Sequence, residues 1–102
     1  MKRLLAATLL CASATLAQAQ AQKSTLSIVK NRGELICGVS PGLAGFGLPD
    51  EKGEWHGLDV DLCRAISAAV FNDPQKVKCT PLSSKDRFTA LQSGEVDLLS
   101  RT

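Results

Sequence analysis

The sequence has no tyrosine, one tryptophan and three phenylalanines. So thin an aromatic supply leaves the core of a small domain to aliphatic side chains and makes its stability marginal. There is a single histidine, His56, set in a polar turn beside Trp55. One histidine in such a turn is a poor general base, and no Ser/His/Asp or Cys/His pairing stands out. The cysteines form no C-x-x-C pair, so a zinc site is not supported. Charge of neither sign is in excess: 12 Lys+Arg stand against 10 Asp+Glu. The basic residues are scattered singly, whereas a phosphate-binding surface needs them clustered, so nucleic acid is not an expected partner. There is no internal repeat and no low-complexity tract.

A long hydrophobic run is also missing. The longest, residues 4–16, is shorter than the roughly 20 apolar residues that a membrane-spanning helix needs. It follows Lys2 and Arg3 and runs into Ala17-Gln18-Ala19-Gln20-Ala21. A basic start, a short apolar stretch and two A-x-A sites make residues 1–21 a secretory signal peptide, cleaved after Ala19 or Ala21. Cys11 does not fit a lipid-attachment site, because the bulky Leu10 precedes it and the apolar run continues beyond it. Cleavage removes two basic residues and no acid, which leaves residues 22–102 near neutrality. The compartment is oxidising, most simply a bacterial periplasm. Of the remaining Cys37, Cys63 and Cys79, two are expected to pair and one to stay free.

Residues 24–32 read as a short helix, with Ser24 as cap and Gly33 as stop. Residues 35–39 form a short apolar run rich in β-formers, hence a buried strand. Residues 40–47 are a glycine-rich loop, and residues 50–53 are a turn joining two short extended segments. Val60, Cys63, Ile66 and Val70 put an apolar stripe on a helix over 59–71. Residues 77–82 read as a second strand, with Val77, Cys79 and Leu82 to one side. A third helix over 84–93 has Ser83 or Ser84 as cap and Phe88 and Leu91 as core contacts. Residues 96–99 read as a third strand. The alternation predicts an α/β fold, a parallel sheet with helices on both faces. In such sheets a ligand sits beyond the carboxyl ends of the strands. The chain stops just past its third strand, as the first part of a longer domain would.

Several residues invite a chemical reading. The glycines of residues 42–47 follow a strand, yet no helix begins after them, so they are not a dinucleotide fingerprint. They suit a loop whose backbone approaches a ligand. Asp59, Asp61 and Glu54 could suggest acid–base or metal chemistry. Carboxylates at i and i+2 of a helix point apart, so Asp59 and Asp61 read instead as dipole compensation in the first turn. Asp86 and Arg87 read as solvated, with Asp86 or Glu95 as possible partners of Arg87.

Four segments together resemble a known family. These are Glu34-Leu35-Ile36-Cys37-Gly38-Val39, Pro41-Gly42-Leu43-Ala44-Gly45-Phe46, Gly57-Leu58-Asp59-Val60-Asp61-Leu62-Cys63-Arg64-Ala65, and the stretch from Asp86-Arg87-Phe88-Thr89-Ala90-Leu91 to Gly94-Glu95-Val96-Asp97-Leu98-Leu99-Ser100-Arg101. They are similar to the start of periplasmic amino-acid-binding proteins of polar amino-acid ABC transporters, family 3 of the bacterial solute-binding proteins. The general L-amino-acid binders are the nearest likeness.

The resemblance implies a two-lobed fold that clamps its ligand in a cleft, with residues 22–102 an incomplete first lobe. It implies an L-amino-acid ligand, permease subunits of an ABC importer as partners, a monomer, and no cofactor, metal or enzymatic activity. A dehydratase- or lyase-type enzyme on the same fold, or a truncated gene product without function, are the alternatives. By position, residues 40–46 contact the ammonium and side chain of the ligand, through Ser40, Leu43 and Phe46. Arg101 and Thr102 begin the loop that contacts its carboxylate, Thr102 standing where relatives carry asparagine. The family's carboxylate-gripping arginine lies beyond the chain, and residues 22–102 alone are not expected to bind amino acids. The family's habit of carrying cysteine at both places, an oxidising compartment and a strand position facing a helix stripe together pair Cys37 with Cys63.

Overall fold

The computed structural model describes residues 23–102, so the signal-peptide reading lies outside the described residues. Helix α1 spans Thr25–Arg32, where the Ser24 side chain accepts from Ser27 N–H and Gly33 closes the end at φ 80°. Strand β1 (Leu35–Val39) follows, then a hairpin of β2 (Leu48–Pro49) and β3 (Trp55–His56). Helix α2 (Leu58–Phe71), strand β4 (Val77–Pro81), helix α3 (Arg87–Ser93) and strand β5 (Leu98–Leu99) complete the order. The main sheet runs β4-β1-β5 and both pairings are parallel.

β1 is the central strand, and period-2 alternation divides its side chains between two apolar clusters. Cys37 and Val39 pack with Val60 and Cys63 of α2, joined by Trp55, Val77, Cys79 and Leu98. On the opposite face Ile36 and Leu99 pack against Leu82, Ala90 and Val96, so α2 and α3 cover opposite sides of the sheet. Gly38 sits where a Cβ would lie 2.7 Å from Leu99 and 2.8 Å from Leu82, so this central position admits glycine alone without repacking. Cys37 and Cys63, buried in the first cluster, are joined by a disulfide across a Cα–Cα distance of 6.2 Å.

Five expectations need correction. Leu82 lies on the α3 side of the sheet, opposite Val77 and Cys79, because it falls an odd number of residues from them and outside β4. α3 starts at Arg87 rather than at residue 84, and neither serine is its cap: Ser83 instead accepts from Asp86 N–H in the turn before it. Phe88 and Leu91 are exposed, and Ala90 is the residue of α3 that reaches the core. The α2 stripe buries Asp59, Val60, Cys63 and Ser67 rather than Ile66 and Val70. Ser67 is tolerated there because its hydroxyl donates to the Asp73 carbonyl at 2.8 Å, which satisfies a buried polar group. The third strand is also shorter than residues 96–99, since only Leu98 and Leu99 pair with β1.

Candidate functional site

β1 and β5 are neighbours and run the same way, so the segments leaving them emerge side by side at one end of the sheet. Ser40, the first residue past β1, is 6% exposed and faces this end. The loop beyond it closes on itself: Leu43 N–H donates to the Gly47 carbonyl at 2.8 Å, and Gly47 N–H returns to Leu43 at 2.9 Å. Gly42 and Gly45 supply the positive φ values, 147° and 82°, that this ring requires. Leu43 is left exposed at the rim and Phe46 half-buried below it.

The amino end of α2 holds this loop from behind. Leu58 N–H donates to the Gly45 carbonyl at 3.0 Å and Asp59 N–H to the Phe46 carbonyl at 2.9 Å. These first-turn N–H groups have no partner inside the helix, so the loop carbonyls satisfy them.

The exit of β5 is held as firmly. Ser100 N–H continues the ladder to the Gly38 carbonyl at 2.9 Å, and its hydroxyl donates to the Asp59 carbonyl at 2.8 Å. Thr102 N–H donates to Asp59 Oδ2 at 2.9 Å, and Thr102 Oγ1 lies 3.1 Å from both carboxylate oxygens. Arg101 Nε donates to the Leu82 carbonyl at 3.0 Å, past the end of β4. Since β1 lies between β5 and β4, the Arg101 side chain crosses the carboxyl ends of all three strands. The bond to Leu82 fixes the guanidinium plane and is the one hydrogen bond it makes among the described residues.

The structure therefore brings Ser40, Leu43, Phe46, Arg101 and Thr102 to one end of the sheet. It gives Thr102 a different bearing from the one the resemblance implies. A threonine has two donors, its N–H and its hydroxyl. Both are engaged by Asp59, which leaves Thr102 only acceptor capacity for a ligand. Asp59 itself is the residue that sequence reasoning missed. It is 8% exposed, whereas Asp61 in the same turn is exposed and lies 3.7 Å from Arg64.

The remaining candidates lie elsewhere. Asp50, Glu54 and His56 gather on the β2–β3 hairpin with their ligating atoms within 4.8 Å, all three exposed. The hydrogen bond from His56, and then that from Glu54 N–H, hold the Asp50 carboxyl below its ordinary value. This replaces the grouping of Asp59, Asp61 and Glu54 considered from sequence. Arg87 pairs with neither Asp86 nor Glu95 among the described residues; its guanidinium stacks on Phe88, 4.7 Å from the ring centre. A pocket of about 460 Å³ opens between the hairpin, Arg64 and the first half of β4. It lies along a sheet edge rather than beyond the strand ends, and the loops described above do not line it.

Residues 35–102 match the sequence model of the bacterial extracellular solute-binding proteins, family 3. With the parallel sheet and its two exit loops, this defines the class: the chain belongs to that family of solute-binding proteins. Among its relatives is the general L-amino acid-binding periplasmic protein AapJ of Rhizobium johnstonii, 52% identical over 97% of this chain and 29% of the relative. Among solved structures, an ABC transporter periplasmic binding protein from Brucella ovis with glutathione bound superposes with a TM-score of 0.77 at 62% identity. That match covers 78% of this chain and 25% of the other. A point mutant of the arginine-bound form of domain 1 from TmArgBP superposes with a TM-score of 0.65 at 25% identity, over 74% of this chain and 57% of that domain. The chain thus spans less than a third of the Rhizobium relative.

Proposed function

We propose that this chain begins the first lobe of a periplasmic receptor that delivers L-amino acids to the permease of an ABC importer. The observation that carries the reading is the juxtaposition of residues 40–46 and 100–102 beyond the carboxyl ends of adjacent parallel strands. Its likeness to a general L-amino acid-binding protein and to a periplasmic binding protein with glutathione bound supports it. On this reading Ser40, Leu43 and Phe46 meet the ammonium side and the side chain of the ligand. The guanidinium of Arg101 meets the carboxylate, and Thr102 Oγ1 offers an acceptor to the ammonium. Residues 1–21 direct export, the receptor acts as a monomer, and no residue of the site is asked to do acid–base chemistry.

A zwitterion held out of water needs both charges partnered at once, because an unpaired buried charge is heavily penalised. This chain, which covers 57% of the arginine-bound lone domain of TmArgBP, supplies part of that set, and the rest of the first lobe with closure of a second supplies the remainder and excludes solvent. The test is calorimetric titration of two proteins: this chain alone, and this chain joined at Thr102 to the remainder of the Rhizobium relative. The joined protein is expected to bind L-amino acids saturably at micromolar concentration, and the chain alone is not. A parallel titration with glutathione, whose γ-glutamyl end carries the same α-ammonium and α-carboxylate, decides between free amino acids and a γ-glutamyl peptide. Absence of binding by the joined protein to either ligand would overturn the reading.

A further inference from the structure

We propose that Asp59 is the positioning residue of this site: it fixes the segment leaving β5 against the loop leaving β1, so that the two meet the ligand as one rigid unit. The inference rests on the receptor reading above. It starts from a burial that dipole compensation does not explain. A carboxylate in a first helical turn can compensate the helix dipole without being buried, and Asp61 in the same turn stays exposed. Asp59 is instead 8% exposed, a place where an anion is unfavourable unless its oxygens accept hydrogen bonds. Both oxygens do so, from Thr102 N–H and Thr102 Oγ1.

The backbone of the same residue completes the connection. Its N–H holds the Phe46 carbonyl of the first loop, and its carbonyl accepts from Ser100 Oγ of the second. One residue therefore touches both loops with four kinds of bond, across 43 residues of sequence on the Thr102 side. The consequence concerns ligand recognition. With Thr102 N–H and hydroxyl proton turned to Asp59, the Thr102 oxygen presents lone pairs rather than a donor, which favours an ammonium there and leaves the carboxylate to Arg101. Removing the Asp59 carboxylate frees both Thr102 donors and lets the β5 exit rotate. The affinity and the orientation of the ligand depend on Asp59 although it does not touch the ligand.

The experiment uses the joined protein carrying Asp59→Ala, Asp59→Asn or, as a control away from the site, Val29→Ala in the buried face of α1. Three quantities are read for each: affinity for the bound amino acid, melting temperature, and amide exchange at Thr102. Asp59→Ala is expected to weaken binding by about tenfold or more, the order of one to two lost charged hydrogen bonds, and to speed Thr102 exchange. Asp59→Asn keeps one acceptor oxygen and is expected to restore part of both. Val29→Ala lowers the melting temperature and leaves affinity and Thr102 exchange near the parent values. The proposal is overturned if both Asp59 variants bind within about twofold of the parent, or if Val29→Ala loses as much affinity at an equal loss of melting temperature. Should Asp59→Ala fail to fold, the asparagine variant decides on the same criteria. If the parent itself binds no amino acid, the receptor reading fails, while unchanged or faster Thr102 exchange still decides whether Asp59 holds the β5 exit.

Discussion

A Cβ placed on Gly57 would lie 2.3 Å from the carbonyl oxygen of Phe46, because Gly57 leads into α2 at φ 127° with that carbonyl where a side chain would stand. The contact is what lets Leu58 and Asp59 reach the first loop with their N–H groups. Gly57→Ala combines a backbone conformation unsuited to an L side chain with a clash against rigid backbone. It should cost about 2–4 kcal/mol of stability, read as a shift of the urea midpoint at unchanged slope. A loss below about 0.5 kcal/mol, the size of an ordinary surface change, would mean that the loop yields freely.

Asp97 joins the two ends of the described chain. Its carboxylate pairs with Arg32 at the end of α1, and its Oδ2 accepts Ile36 N–H at 2.7 Å, with the side chain 6% exposed. Asp97→Ala leaves a half-buried N–H and a guanidinium without this partner. The expected loss is about 2–3 kcal/mol by denaturant titration, with Asp97→Asn between this and the parent. Equal stability of Asp97→Ala and parent would contradict the arrangement.

The cysteines give a chemical test. Labelling of the unreduced, exported protein should modify Cys79 alone, since Cys37 and Cys63 are bonded. Reduction should lower stability by about 3–4 kcal/mol on the chain-entropy account of a 26-residue separation. Burial pushes the Cys79 thiol up from its ordinary value, and the charge of Arg64 offsets this in part. The raised value means that folding disfavours the thiolate. Alkylation of Cys79 should therefore accelerate only above the pH at which an ordinary thiol reacts, and any stability held by the neutral thiol is lost as pH rises through the same range. Because Cys79 stands beside Cys37 in the β1–β4 register, peptide mapping must show the Cys37–Cys63 linkage and not Cys37–Cys79.

Much of the fold was legible because each element carries its own local pattern. Ser24 and Gly33 mark both ends of α1, and an unbroken apolar run marks β1, which is buried on both faces. What failed was information carried by distant partners. Asp59 looks like any acidic residue of a first turn until Thr102, 43 residues on, is placed against it. Phe88 and Leu91 show that apolar spacing reveals an amphipathic helix but not which part of its stripe is covered; only Ala90 of α3 lies within reach of Leu82 and Val96. The Leu82 error has a simpler cause: Leu82 stands three residues from Cys79, so strand alternation itself puts it on the opposite face, just past Pro81, the last paired residue of β4. The two exit loops were legible through family resemblance, whereas the direction of Arg101 toward Leu82 was not.

The central claim is that the ligand sits beyond the carboxyl ends of β1 and β5. Its most direct test is a crystal structure of the joined protein grown with a saturating L-amino acid. The account predicts density for the ligand against residues 40–46, with its carboxylate within about 3 Å of the Arg101 guanidinium and Asp59 still bonded to Thr102. Density instead in the pocket between Trp55, Arg64 and Cys79, with residues 40–46 and 100–102 untouched, would contradict it.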